Sequence, residues 1–145
     1  MSKTISTNAI KIIQGGETPV YSFFMKGQDI LRIADISRIK KNKEGVLLGY
    51  QRGEVLTHVK EIVNYLDSGE ILFPNAIILA MSSDVVFEDS STKLNGDLNS
   101  SSGVLTIPIR KIGMKSAWIV DGQQRTMALS RCSSNDIVVP VIGFV

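Results

Sequence analysis

The stretch from residue 54 to 68 leaves this chain the least conformational choice. Val55, Val59, Ile62, Val63 and Leu66 recur at i, i+4, i+7, i+8 and i+11, one apolar stripe of a helix of period 3.6. Lys60, Glu61, Asn64 and Asp67 take the other side. Gly69 follows the last periodic residue, where a left-handed glycine commonly stops a helix, and Pro74 reinforces the exit. Residues 75–81 then run almost without a polar side chain, as a buried strand does. An amphipathic helix that leads into a buried strand predicts helices packed on a sheet, an α/β or α+β class with a mixed sheet.

The rest of the chain fits that class. Residues 20–25 are β-branched and aromatic and read as a strand closed by Lys26-Gly27, and residues 30–36 suit a short helix. Ahead of them, residues 1–18 read as a turn or loosely held lead-in to a domain over 19–145, because Gly15-Gly16 and Pro19 punctuate the chain there. Residues 84–103 are rich in Ser, Asn and Gly and predict an exposed hairpin tip or flexible loop. Strands are expected over 104–109, 115–120 and 137–145, the last carrying Pro140, with a short helix over 123–131. The chain stops at an apolar strand, so a truncated form of a longer protein is one expectation.

Composition narrows the function classes. No apolar stretch approaches the roughly 20 residues that span a bilayer, and the first residues lack a signal-peptide block, so a cytoplasmic location is expected. Cys132 is the sole cysteine and His58 the sole histidine, which excludes an intrachain disulfide and argues against a structural zinc site. His58 precedes core-facing Val59 and reads as a surface or boundary residue; Cys132 reads as an incidental or buried thiol. A net charge of +2 does not imply nucleic-acid binding, so DNA affinity must come from clustering. Arg38, Lys40, Lys41 and Lys43 form the dense basic run, with Arg110, Lys111 and Lys115 as candidate additions. A solvated loop and a phosphate contact are both open readings of that run.

Chemistry concentrates in Ala117-Trp118-Ile119-Val120-Asp121-Gly122-Gln123-Gln124-Arg125. A strand runs directly into Asp-Gly and then a helix. Asp121 is expected to cap that helix and Gly122 to permit the tight turn. The unpaired first N–H groups of a helix suit an anion, and Arg125 adds a planar fork of donors for phosphate oxygens. Gln123 and Gln124 offer donors and acceptors to a base, a ribose or a water. An ordinary capped turn with a solvated helix face accounts for the same residues. Upstream, Gly49-Tyr50-Gln51-Arg52 is expected to precede the amphipathic helix, a second place where an anion is favoured.

Taken in order, Gly49-Tyr50-Gln51-Arg52, the helix, Phe73-Pro74-Asn75-Ala76-Ile77 and Val120-Asp121-Gly122-Gln123-Gln124-Arg125 resemble the DGQHR-domain family, which includes the DndB and DpdB groups. Gln124 stands where that family's name has His, and the resulting Asp-Gly-Gln-Gln-Arg is similar to GmrSD-type restriction proteins. The resemblance implies a ParB/sulfiredoxin-like mixed sheet with flanking helices and a role in bacterial DNA modification, of the phosphorothioation or deazaguanine kind, or in phage defence. It implies a nucleotide- or DNA-binding component that works with other modification or restriction proteins. Asp121, Gly122, Gln123, Gln124 and Arg125 would line the site, with Gln51 and Arg52 facing it.

If a nucleoside triphosphate is hydrolysed with Mg²⁺, Asp121 would hold the metal or steer water. Arg125 would stabilise phosphate charge, and Gln123 or Gln124 would orient the nucleophile. A nuclease is the weaker enzymatic reading, because two-metal sites need several oxygen ligands, and neither Glu54 nor Asp84 is spaced to suggest one. Sulfiredoxin chemistry lacks its cysteine in the turn. The alternatives are an NTP-hydrolysing GmrSD-like subunit and a non-catalytic interaction module.

Overall fold

A computed structural model of the chain describes residues 3–36, 45–69, 71–90, 100–111, 114–134 and 136–145, with the backbone alone for 45–55. Among the described residues eight strands form one sheet: β1 (Lys3–Gln14), β2 (Thr18–Lys26), β3 (Ala34–Asp35), β4 (Ile77–Met81), β5 (Val86–Asp89), β6 (Ser101–Ile109), β7 (Ala117–Asp121) and β8 (Val138–Phe144). The helices are α1 (Ile30–Ile33), which follows a single 3₁₀ turn, α2 (Gly45–Leu66) and α3 (Gln123–Arg131). Strand order is β3-β7-β4-β8-β2-β1-β6-β5, with β3/β7 and β4/β8 parallel and the remaining pairs antiparallel. This is the mixed-sheet α+β class.

Residues 3–14 are not a lead-in but strand β1, which pairs with both β2 and β6. Ile5, Thr7 and Ala9 alternate with polar residues, but Ile10 and Ile13 stand half exposed and only Ala9 is buried, so the apolar residues of this strand do not trace one buried face. The glycine pair does make a turn. Gly15 and Gly16 both have positive φ and close the three-residue link to β2, where they carry no Cβ penalty. Of the stretch expected to be hairpin tip or loop, Val86–Asp89 is strand β5, paired with β6, and β6 itself begins at Ser101. Residues 91–99 lie outside the described residues. Residues 34–35, expected within a short helix, are strand β3.

α2 is longer than the periodic stripe indicates and takes in residues 49–52, so Gln51 and Arg52 do not sit before its start. Extending a nucleated helix adds a hydrogen bond per residue. Gly49 and Gly53 oppose that by about 1 kcal/mol each, too little to stop it. The helix ends as expected, with Gly69 at φ 107° just beyond it.

One face of the sheet carries the core. Ile77, Leu79, Leu105, Ile107, Val139 and Val141 have no exposed surface, and Ile30, Ile33, Val59, Leu66, Ala128 and Leu129 from the helices are as deeply buried. Each large side chain removed from water there contributes about 1.5–3 kcal/mol. α3 is seated closely: a Cβ on Gly27 would lie 2.7 Å from Leu129 Cδ2, so only glycine lets the 27–29 turn approach this helix. α2 then packs on α3. Pro140 is tolerated inside β8 because it stands one residue before the β4 ladder begins at Val141.

Candidate functional site

The junction of β7 and α3 is built as the sequence predicts, with one exchange of roles. Gly122, not Asp121, is the N-cap residue, at φ 96° and ψ 23°. Asp121 is the last residue of β7, and its carboxylate turns to Arg125 Nη2 at 3.7 Å. A left-handed cap glycine has no side chain to offer, so the first N–H groups of α3 are left without a side-chain acceptor and keep their partial positive charge. The turn is fixed from inside. The Gly122 carbonyl accepts from the Thr126 N–H at 2.9 Å and from its buried hydroxyl at 2.8 Å. Gln123 Nε2 donates to the carbonyls of Ile119 and Val120, at 3.1 Å each, and so fastens the helix start back onto β7.

Arg125 is held at three points. Nη1 donates to the Asn75 carbonyl at 3.0 Å, Nη2 meets Asp121, and the guanidinium lies 5.9 Å from the centre of the Phe73 ring. The Gln124 side chain is partly buried and makes no hydrogen bond among the described residues. Its amide is the uncommitted polar group of the turn.

These residues form one wall of an open cavity of about 570 Å³, within the range of small-molecule sites. Asp121, Gly122, Gln123, Gln124 and Arg125 line it on one side. Leu72, Phe73, Pro74 and Asn75 line it from the segment before β4, and His58, Ile62 and Tyr65 from α2. The five-residue turn predicted from sequence thus lies in one place. Phe73, Pro74 and Asn75, which carried the resemblance, share the cavity with it.

His58 is exposed, as its position beside Val59 predicts, but it also lines the cavity, a role that sequence reasoning does not assign to it. It lies at i, i+4 and i+7 with Ile62 and Tyr65, a row that shares Ile62 with the edge of the core stripe, and that spacing is the available signal. Its Nδ1 is 3.5 Å from Glu61 Oε1, on a largely exposed side chain.

Other predicted residues fall outside the described residues or are placed elsewhere. The side chains of Gln51, Arg52 and Glu54 lie outside the described residues, as do Arg38, Lys40, Lys41 and Lys43 altogether. Of the candidate basic additions, Arg110 is paired with Asp84 at 2.7 Å. Lys115 is mostly buried, donates to the Leu31 carbonyl and lies 3.9 Å from Asp35, so it braces α1 and β3. Among the described residues no three His, Cys, Asp or Glu side chains are grouped to hold a metal ion, and of those lining the cavity Asp121 is the one that carries a carboxylate. Cys132 is buried at the end of α3, and its Sγ donates to the carbonyls of Leu129 and Ser134. Burial raises its pKa, and the Asp67 carboxylate pushes the same way.

Fold and site together define an α+β domain with a ligand-sized cavity at a strand–turn–helix junction. The DndB family, described as DNA-sulfur modification-associated, matches residues 7–138, and the chain belongs to that family. No curated protein and no solved structure gives a significant match. Among the described residues no helix is long and apolar enough to cross a membrane.

Proposed function

We propose that this chain serves a DNA-sulfur modification system as its nucleotide- and DNA-binding component, with the nucleotide phosphate held at the β7–α3 turn. The observation that carries this is the convergence on one cavity of an uncapped helix start, the Arg125 guanidinium and the free amide of Gln124. Phosphate oxygens would accept from the N–H groups of α3 and from Arg125, which would exchange the Asp121 carboxylate for the stronger anion. A triphosphate would arrive with Mg²⁺ bound to its own oxygens and to water, and Asp121 is the carboxylate among the described lining residues that could meet that ion. DNA would be met by the basic run Arg38, Lys40, Lys41 and Lys43.

The test is equilibrium binding and turnover of ATP, GTP, CTP and UTP, with and without Mg²⁺, in the wild-type protein and in Arg125→Ala. Binding weakened about tenfold or more in the variant supports the reading. Wild-type protein that binds none of the four sinks it.

A further inference from the structure

We infer that the cavity reads a nucleotide by the face of its base, which stacks on a wall made by His58, Tyr65 and Phe73, residues outside the Asp121–Arg125 turn. This rests on the nucleotide reading above and specifies its substrate class: a ligand with an intact aromatic base, as opposed to a bare phosphate or sugar phosphate.

The cavity is lined by two chemically different sets of residues, which meet where the Arg125 guanidinium lies 5.9 Å from the centre of the Phe73 ring. The turn supplies the polar groups, whereas α2 and the segment before β4 supply His58, Ile62, Tyr65, Leu72 and Phe73. A site for a free inorganic anion has no use for the second set.

Tyr65 shows what that set can offer. Its hydroxyl accepts from the Leu72 N–H at 2.9 Å and donates to the Leu72 carbonyl at 3.1 Å. Both polar functions of the phenol are therefore spent on the protein's own backbone, yet 45% of the residue remains exposed. What it presents to the cavity is a ring clamped in position. An aromatic side chain fixed in advance stacks without paying to be ordered. Leu72, held by the same two bonds, is 76% exposed beside it. His58 and Ile62 continue the surface back along α2.

Every base has a π-face, so a wall that stacks and offers few edge contacts tolerates all of them. Base–aromatic stacking is large enough to separate a nucleotide from its sugar phosphate by about tenfold or more. The four nucleoside monophosphates are expected to bind within a few-fold of one another.

The experiment compares the dissociation constants of AMP, GMP, CMP and UMP with those of ribose phosphate and inorganic phosphate, in the wild type and in His58→Ala. His58 is well exposed, and its removal does not disturb the core. Because Tyr65 also ties a loop, stacking is read a second way, through the fluorescence of a nucleotide carrying a fluorescent adenine analogue, which stacking quenches. Nucleotides about tenfold tighter than ribose phosphate, a smaller ratio in His58→Ala and quenching on binding support the inference. Equal affinity for nucleotides and ribose phosphate overturns it and leaves the phosphate site standing. No binding by any of them overturns the phosphate site as well.

Discussion

Arg125 Nη1 donates to the carbonyl oxygen of Asn75 at 3.0 Å, and this bond joins the first turn of α3 to a segment fifty residues earlier in the chain. The same side chain faces Asp121 and the Phe73 ring. It is therefore a structural clasp as well as a cation in the cavity wall. Arg125→Ala should cost stability, about 1–2 kcal/mol, in line with the loss of a hydrogen bond made by a charged group at a partly exposed site. The Asp121 pair adds little, since most of that carboxylate is in water. Urea denaturation measures the first effect, and Asp121→Asn, expected within about 0.5 kcal/mol of wild type, checks the second.

Gly122 should be the least replaceable residue of the turn. Its φ of 96° strains any L side chain, and a Cβ there would lie 2.7 Å from Ile77 Cδ1 and 3.1 Å from Arg125 Nη2. Ile77 is wholly buried and cannot swing aside. Gly122→Ala is expected to destabilise by about 2 kcal/mol or more, from backbone strain and steric overlap together. It should weaken nucleotide binding too, because it displaces Arg125. Wild-type thermal stability in this variant would contradict the described turn.

Thr126 tests the turn from inside. Its hydroxyl is fully buried and donates to the Gly122 carbonyl at 2.8 Å. Thr126→Val keeps the shape and loses the donor, at an expected cost of about 1 kcal/mol. Thr126→Ser keeps the donor. If the hydrogen bond matters more to the cavity than the methyl group does, the serine variant should retain nucleotide affinity better than the valine variant.

Alkaline pH should loosen the fold through two buried acids. Burial raises the pKa of both Cys132 and Tyr21 in the native state. The folded protein therefore holds those protons more tightly than the unfolded chain. Their contribution is complete below the unfolded values, near about pH 8.5 for cysteine and 10 for tyrosine, and is lost as pH rises through the higher native values. Unfolding free energy should be flat through neutral pH and fall above about pH 8.5, with a shallower onset in Cys132→Ala. Alkylation of native Cys132 at neutral pH should be slow until denaturant is added.

The basic run makes a separate prediction. Neutralising Arg38, Lys40, Lys41 and Lys43 together should weaken DNA binding and flatten its dependence on salt, because phosphates that these side chains no longer neutralise keep their counterions. An unchanged salt slope would remove these residues from the DNA surface.

Much of the site is legible in the sequence because its chemistry is local. A strand, an Asp-Gly pair and a helix start are contiguous, so Asp121 through Arg125 have to share one place. The cap differs from expectation through backbone geometry: a left-handed Gly122 shifts the cap by one residue and frees Asp121 for Arg125, which no spacing rule reveals. β1 escapes sequence reading because its isoleucines break the period of two, with Ile10 and Ile13 half exposed, and the glycine pair that follows reads equally well as the end of a lead-in. The aromatic wall escapes it because the wall depends on where α2 lies against the segment before β4, a tertiary fact. Even so, the spacing of His58, Ile62 and Tyr65 hints at a second face of that helix.

The measurement closest to the central claim is an amide chemical-shift titration of the isotope-labelled protein with a nucleotide. The largest early shifts are expected at the backbone N–H groups of Gln123, Gln124 and Arg125, with Asn75 and Tyr65 following. Shifts confined to residues remote from the turn, around Ile10, Phe24 and Val104, would contradict a ligand site at the β7–α3 junction.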